Sequence, residues 1–289
     1  LIPFSLSKRL ILDQISLGSE LQQIAGKWKS RNGTLGFVPT MGALHSGHLS
    51  LIDLSAEKAN HTVCSIFVNP TQFNDPGDFN KYPRTIERDK EVLMASSCDI
   101  LFTPEMLEIY PGSQSTEVID YGLITSTLEA ALRPGHFDGV VAVLRRLFTI
   151  VNPDFAFFGE KDFQQLALVK ELCKKEFQNI QIVSCPIIRE ESGLAMSSRN
   201  ERLSTEARKR SAQLYQALLQ VKENWSPPTQ ESLIRRTIIK LEFDGQIEVE
   251  YLTVIDAENF SKKVEKGKKA RILIAAWMEG IRLIDNIPL

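Results

Sequence analysis

Two of the four histidines in this chain, His45 and His48, stand in the stretch Pro39-Thr40-Met41-Gly42-Ala43-Leu44-His45-Ser46-Gly47-His48. An apolar run at 35–38 leads into it. An amphipathic pattern leaves it, with Leu49, Ile52, Ala56 and Ala59 on one face. A strand, a glycine-containing turn and a helix start make a natural anion site. The first N–H groups of a helix lack intrahelical partners, and the helix dipole is positive at that end. Two imidazoles placed there can donate hydrogen bonds to phosphate oxygens. A His-x-x-His pair could also be half of a metal site, but neither His61 nor His136 offers an obvious third ligand. The chemistry indicated is that of a phosphoryl chain held and then split.

Four further segments carry groups of the same kind. Phe67-Val68-Asn69-Pro70-Thr71-Gln72-Phe73-Asn74 ends an apolar run, and Gln72 can both donate and accept toward a hydroxyl or carboxylate. Alone, Asn-Pro-Thr-Gln is an ordinary turn. Arg133-Pro134-Gly135-His136-Phe137-Asp138-Gly139 reads either as a rigid helix start or as a carboxylate or phosphate site built on Arg133. In Phe158-Gly159-Glu160-Lys161-Asp162-Phe163-Gln164-Gln165, Lys161 is placed to reach phosphates as a point charge, and Gln165 lies one turn into the following helix. Leu194-Ala195-Met196-Ser197-Ser198-Arg199-Asn200 gathers two hydroxyls and a guanidinium, a set that can fold over a triphosphate. A Walker loop, H-E-x-x-H, G-x-S-x-G and G-x-G-x-x-G are all absent from the sequence.

Composition narrows the class. The 289 residues are 43% hydrophobic and 24% charged with a net charge of −2, so nothing in the bulk charge points to nucleic acid or an anionic membrane surface. No apolar run approaches the ~18 residues of a membrane span. The N-terminal stretch lacks the basic-then-apolar pattern of a secretory signal. Cys64, Cys98, Cys173 and Cys185 form no C-x-x-C pair, and they read as reduced core thiols of a cytoplasmic protein.

The elements that must position these residues alternate. Apolar strand-like runs at 35–38, 62–68, 99–102, 155–158 and 180–183 are separated by helical patterns at 46–60, 84–96, 137–151 and 162–177. Strands apolar on both faces predict a parallel sheet covered by helices, a doubly wound Rossmann-like α/β domain over residues 1–186. Residues 187–289 read as a smaller α+β domain. Two helices are predicted at 205–224 and 230–241, separated by Trp225-Ser226-Pro227-Pro228. Strands are predicted at 247–255, 270–276 and 281–284, with a tight turn at Gly280. Leu214, Ala217, Leu218 and Val221 mark the buried stripe of the first helix.

Taken in order, the segments resemble those of the pantoate–β-alanine ligase family. The matching motifs are Pro-Thr-Met-Gly-x-Leu-His-x-Gly-His, Asn-Pro-x-Gln-Phe, Tyr-Pro-Arg-Thr at Tyr82 to Thr85, Arg-Pro-Gly-His-Phe, Phe-Gly-x-Lys-Asp-x-Gln-Gln and Met-Ser-Ser-Arg-Asn. The final Arg282-Leu283-Ile284-Asp285-Asn286 is similar to the family's last strand. His-x-Gly-His alone indicates only the wider nucleotidyltransferase superfamily; the ordered set indicates the ligase. The resemblance implies that pantoate's carboxylate attacks the α-phosphate of ATP with release of pyrophosphate, and that the amine of β-alanine then takes the pantoyl group from AMP. It implies catalytic roles for His48, His45 and Lys161. Met41, Gly42, Ala43, Leu44, His45, Ser46, Gly47, His48, Gly159, Glu160, Lys161, Asp162, Ile188, Met196, Ser197, Ser198 and Arg199 would contact ATP. Gln72 and Gln165 would hold pantoate, with Gln72 near β-alanine as well. Mg²⁺ would accompany ATP, with Asp89 a candidate contact, and the chain would pair as a homodimer. One departure is the bulky Ala276-Trp277-Met278-Glu279-Gly280 before the last strand.

Overall fold

A computed structural model describes residues 12–112, 116–226, 229–264 and 267–289; Pro227 and Pro228 of the predicted helix separator lie outside them. In chain order the first elements are β1 (Asp13–Ile15), α1 (Gly18–Lys29), β2 (Leu35–Thr40), α2 (Ser46–Lys58), β3 (His61–Ile66), α3 (Pro76–Lys81), α4 (Ile86–Met94) and β4 (Ile100–Phe102). There follow α5 (Met106–Ile109), α6 (Leu123–Ser126), α7 (Glu129–Leu132), α8 (His136–Val151), β5 (Phe155–Gly159), α9 (Phe163–Glu176) and β6 (Gln181–Cys185). The last are α10 (Thr205–Ser211), α11 (Gln213–Glu223), α12 (Gln230–Leu241), β7 (Ile247–Asp256), β8 (Ala270–Met278) and β9 (Ile281–Pro288). Short 3₁₀ turns stand at Pro70–Gln72, Glu160–Asp162 and Ser198–Arg202.

The chain groups into two units. One comprises residues up to 118, 138–158 and 169–185; the other comprises 119–137, 159–168 and 186–289. A change of periodicity marks the boundary near 186, but nothing local marks the two inserted stretches, which group with the C-terminal part through contacts distant in sequence.

The first unit is built on a six-stranded sheet of order β1-β4-β3-β2-β5-β6, parallel at β1–β4, β4–β3, β3–β2 and β2–β5. The five predicted strands are all present. The apolar runs of β2 to β5 are buried on both faces, as in β2 and β3, where Leu35, Phe37, Val38, Val63 and Cys64 are inaccessible, whereas in the edge strand β6 only Cys185 is buried. β1 and α1 are additions to the sequence reading. Three residues are too few for a period, and α1 carries two glycines and only Leu21 and Ala25 as buried apolar anchors. Strand order reverses between β2 and β5, and in such sheets ligands bind beyond the strands' carboxyl ends at that reversal. The histidine loop leaves β2 at that end.

The second unit carries the antiparallel sheet β7-β8-β9. Met278 pairs with Ile281 across a two-residue turn in which Glu279 (φ 50°) and Gly280 (φ 70°) are both left-handed, the backbone that suits the sheet's twist. The predicted stripe Leu214, Ala217, Leu218 and Val221 is buried in the core with Val254, Ile272 and Ile274. The single helix predicted over 205–224 is two. At Ala212 the N–H bonds to the Lys209 carbonyl, three residues back, and the regular ladder is interrupted.

Phe157, in β5, is fully buried among Val38, Ile52 and Leu101. Its replacement by alanine is expected to cost about 3–5 kcal/mol in denaturant unfolding; a loss under ~1 kcal/mol would show that the sheet does not pack as described.

Candidate active site

The histidine loop is held from beneath by one carboxylate. Asp89 of α4, 1% exposed, accepts the Ala43 N–H at Oδ2 (2.9 Å) and the Leu44 N–H at Oδ1 (2.8 Å). The Thr85 hydroxyl donates to the same group at 3.3 Å. The chain reaches it by a left-handed turn at Gly42 (φ 82°) and Ala43 (φ 51°). A Cβ on Gly42 would stand 3.0 Å from Ile66 Cγ2 and 3.1 Å from Asp89 Oδ2, a tight fit, and the positive φ is the backbone that favours glycine there.

Past this turn the two histidines cap α2 reciprocally. His45 is the N-cap, and its Nδ1 accepts the Gly47 N–H at 3.1 Å. His48, at the third helical position, accepts the His45 N–H on its own Nδ1 at 3.3 Å. This is a capping box with imidazoles in place of the usual Ser/Thr and Glu. The rings lie 4.1 Å apart between centroids, tilted by 34°. Because each Nδ1 is an acceptor, the proton of each neutral ring sits on Nε2, which makes Nε2–H the donor edge of both side chains. The first turn of α2 contains no acidic residue to offset its positive end.

Gln72 closes the 3₁₀ turn at Pro70–Gln72, and the buried Asn69 organises that turn. Asn69 Oδ1 accepts from the Thr71 hydroxyl (3.0 Å) and the Tyr110 hydroxyl (2.8 Å), and Nδ2 donates to the Gly139 carbonyl (3.0 Å). Gly139 must be glycine, since a Cβ would fall 2.3 Å from the Thr71 carbonyl oxygen. In the sequence Asn69 belongs to an ordinary Asn-Pro turn, and nothing local marks this role.

The remaining predicted residues belong to the second unit. Glu160, Lys161 and Asp162 form a 3₁₀ turn at the foot of α9, with Lys161 Nζ 3.7 Å from Asp162 Oδ2. The paired glutamines separate in role. Gln164 is buried and ties down residues 124–129, donating to the Ile124 (2.7 Å) and Thr127 (2.8 Å) carbonyls and accepting the Glu129 N–H (3.1 Å). Gln165, the predicted ligand, is half-buried. Ile188 and Met196 are brought together, the Met196 N–H donating to the Ile188 carbonyl at 3.0 Å. Ser197 caps the turn Ser198–Arg202. Asn200 and Arg208 both bond Glu190, at 2.8 and 2.9 Å, and so brace that loop.

Arg133 sits in a partly buried charge network. Glu129 accepts from Arg282 Nη1 and Nη2 (2.7 and 2.8 Å) and from the Tyr251 hydroxyl (2.7 Å), and lies 3.9 Å from Arg133. Burial, with repulsion from Arg199 and Arg282, lowers the Arg133 guanidinium's affinity for its proton against the pull of Glu129. Two arginines predicted from separate motifs, Arg133 and Arg199, thus share one electrostatic environment.

The chain matches the model of the family described as pantoate–β-alanine ligase over residues 14–288. It belongs to the pantoate–β-alanine ligase family. A member from Cytophaga hutchinsonii, named pantothenate synthetase, is 46% identical over 267 residues, 90% of this chain and 93% of the relative. The pantothenate synthetase of Flavobacterium psychrophilum is 45% identical over 259 residues, 89% of this chain and 92% of the relative. Among solved structures, the Thermus thermophilus pantothenate synthetase superposes with a TM-score of 0.85 at 38% identity, covering 96% of this chain and 99% of that one. The Francisella tularensis pantoate–β-alanine ligase, complexed with a β,γ-ATP compound and β-alanine, gives 0.81 at 33% identity, with 96% and 98% covered.

Two outcomes are expected from this geometry. Asp89→Ala leaves two buried N–H donors without their acceptor and should cost about 2–4 kcal/mol of stability in chemical denaturation, while Asp89→Asn, which keeps one acceptor oxygen, should cost less. Equal stability of both variants to the parent would remove Asp89 as the loop's anchor. For Glu129, burial pushes the carboxyl up, but the Arg282 hydrogen bonds and charge, helped by Tyr251 and Arg133, outweigh it and hold the group below the ordinary 4.5. A depressed folded value stabilises the protein above the unfolded value, and that stabilisation is lost as pH falls through the folded one. Glu129→Gln should therefore lower stability at neutral pH and flatten its decline below pH 4.5, read from thermal midpoints across pH. An unchanged acid limb would contradict this.

Proposed function

We propose that this chain is an ATP-dependent pantoate–β-alanine ligase that works through pantoyl adenylate. The observation that carries the reading is the imidazole capping box at the start of α2, set at the carboxyl end of β2, within a chain that matches the ligase family over nearly its whole length. In the first step a carboxylate oxygen of pantoate attacks the α-phosphorus of ATP, and the bond to pyrophosphate breaks. Charge accumulates on the departing pyrophosphate, so donors fixed in advance lower the barrier. His45 and His48 supply Nε2–H groups, and the N-terminal N–H groups around Ser46, Gly47 and His48 add the helix end. Lys161 and Arg199 supply full charges, and Ser197 and Ser198 supply hydroxyls.

Met41, Gly42, Ala43 and Leu44 give the ATP-contacting loop its backbone shape, and Gly159, Glu160, Asp162, Ile188 and Met196 complete the nucleotide contacts. Gln72 and Gln165 hold pantoate by its hydroxyl and carboxylate groups. In the second step the neutral amine of β-alanine attacks the acyl carbon and AMP leaves. Orientation and exclusion of water carry that step, with no dedicated base. His48 serves as a stabiliser of pyrophosphate: a proton on its Nδ1 would break the bond it accepts from His45.

Magnesium would travel with the ATP phosphates. Among the described residues no three His, Cys, Asp or Glu side chains are arranged to hold a metal, and the Asp89 oxygens face the loop's N–H groups. The described residues do not form a protein cage for the ion. No helix among the described residues is long and apolar enough to cross a membrane. The four buried free thiols support a reducing compartment, the cytoplasm, and family membership supports a homodimer.

The test is pyrophosphate release with ATP and pantoate, followed by AMP and pantothenate in equal amounts once β-alanine is added. Pyrophosphate release that needs no pantoate would indicate a nucleotidyl transfer of another kind and sink the ligase reading. His48→Ala should slow single-turnover adenylate formation by about 10²–10³-fold, as removal of a preorganised donor does. Loss confined to the amine step would contradict the role given to it.

A further inference from the structure

Lys161 is the one amine assigned to the phosphates, and its long side chain hangs from a three-residue turn. What fixes that turn is the C-terminal strand. Asn286 of β9, 1% exposed, donates both hydrogens of Nδ2, one to the Glu160 carbonyl (3.0 Å) and one to the Lys161 carbonyl (2.9 Å). Its Oδ1 accepts Arg271 Nε at 2.5 Å. An arginine can only donate and a carbonyl can only accept, so the carboxamide has a single possible orientation and both of its ends are used. Arg271 extends the grip: its Nη2 meets Glu160 Oε2 at 2.7 Å, and its guanidinium lies 4.3 Å from the Phe163 ring centre. Next in the strand, the buried Asp285 accepts the Asn286 N–H (2.7 Å) and a bidentate pair from Arg189 (2.6 and 2.9 Å), the residue after Ile188.

We propose that Asn286 is a positioning residue for Lys161, clamping the backbone of the Glu160–Lys161 turn so that the ammonium meets the phosphate chain in one place. The proposal rests on the ligase reading given above. Neither Asn286 nor Arg271 has a reacting group to offer. Their bonds go to the turn that carries the lysine, and a displacement of about 1 Å in a charged group can cost about 10²-fold in rate.

A double-mutant cycle tests it. Wild type, Asn286→Ala, Lys161→Ala and the double variant are compared for pantoate-dependent pyrophosphate release in a single turnover, for ATP affinity by titration and for thermal midpoint. Asn286→Ala should slow pyrophosphate release by about 10²-fold, and the double variant should be no slower than Lys161→Ala alone, because the asparagine acts through the lysine. The KM for β-alanine should not move. Asn286→Ser, which keeps a donor but shortens its reach, should give an intermediate loss; it carries the cycle if the alanine variant fails to fold. Effects that multiply across the cycle, or an Asn286 variant as fast as wild type, overturn the proposal. If wild type itself releases no pyrophosphate with pantoate, the ligase reading falls. The ATP affinities then decide the positioning role separately: coupled losses support it and additive ones overturn it.

Discussion

The carboxylate of Asp89 is the constraint on which the histidine loop depends. A left-handed turn at Gly42 and Ala43 points two consecutive N–H groups, those of Ala43 and Leu44, toward the interior. Buried N–H groups need an acceptor, and no secondary structure reaches them. Asp89 supplies one oxygen to each. Only after that turn is fixed does the chain arrive at His45 in the extended conformation (φ −139°, ψ 175°) from which it can cap α2. The imidazole orientation is thus a consequence of a carboxylate forty-odd residues away in sequence. Hydrogen bonds to a charged acceptor are about twice as strong as neutral ones, so the carboxylate holds the turn more firmly than a neutral side chain would.

The second unit solves a related problem with more charges. Glu129, Arg282, Glu250, Tyr251 and Arg133 are joined in one partly buried network. Such a network earns little net stability over apolar packing, but removing one member leaves the others desolvated and unpaired. Its effect here is on geometry. β7 bulges between Val249 and Tyr251, where Glu250 stands, and Glu250 and Tyr251 bond Arg282 and Glu129 respectively. Gln164 then ties the Glu129 backbone to the start of α9. Glu129, Arg133 and Gln164 come from segments far apart in sequence, and the network makes them neighbours.

What could be read from the sequence follows from the range of the forces involved. Strands β2 to β5 were legible because burial on both faces leaves an unbroken apolar run. The hairpin at Gly280 was legible because a two-residue turn demands left-handed backbone. The histidine loop was legible because its residue types are rare and their spacing is local. Asp89, Asn69 and Asn286 were not legible in their present roles. Each acts on backbone groups across a long sequence separation, and a lone Asp or Asn carries no mark of the N–H or C=O it will meet. Family spacing drew attention to Asp89 only as a candidate magnesium contact. β1 and α1 escaped notice for the opposite reason: they are local, but too short or too rich in glycine to form a pattern. The break at Ala212 is equally silent, since alanine favours a continuous helix and the interruption lies in the hydrogen-bond ladder.

The capping box also bears on why histidine stands where serine or aspartate usually does. An aspartate at the N-cap would satisfy the same N–H but bring a negative charge against the phosphate chain of the proposed function. A serine would cap equally well yet use its short side chain in doing so. An imidazole has two nitrogens on opposite edges of a rigid ring, so Nδ1 can cap the helix while Nε2 still carries a proton outward. The arrangement requires the neutral ring, because protonation at Nδ1 turns the cap into a clash of donors. In the role proposed for them above, His45 and His48 would therefore act as dipoles rather than as cations. On the ligase reading proposed above, net positive charge toward a phosphate chain would have to come from lysine and arginine side chains rather than from these imidazoles.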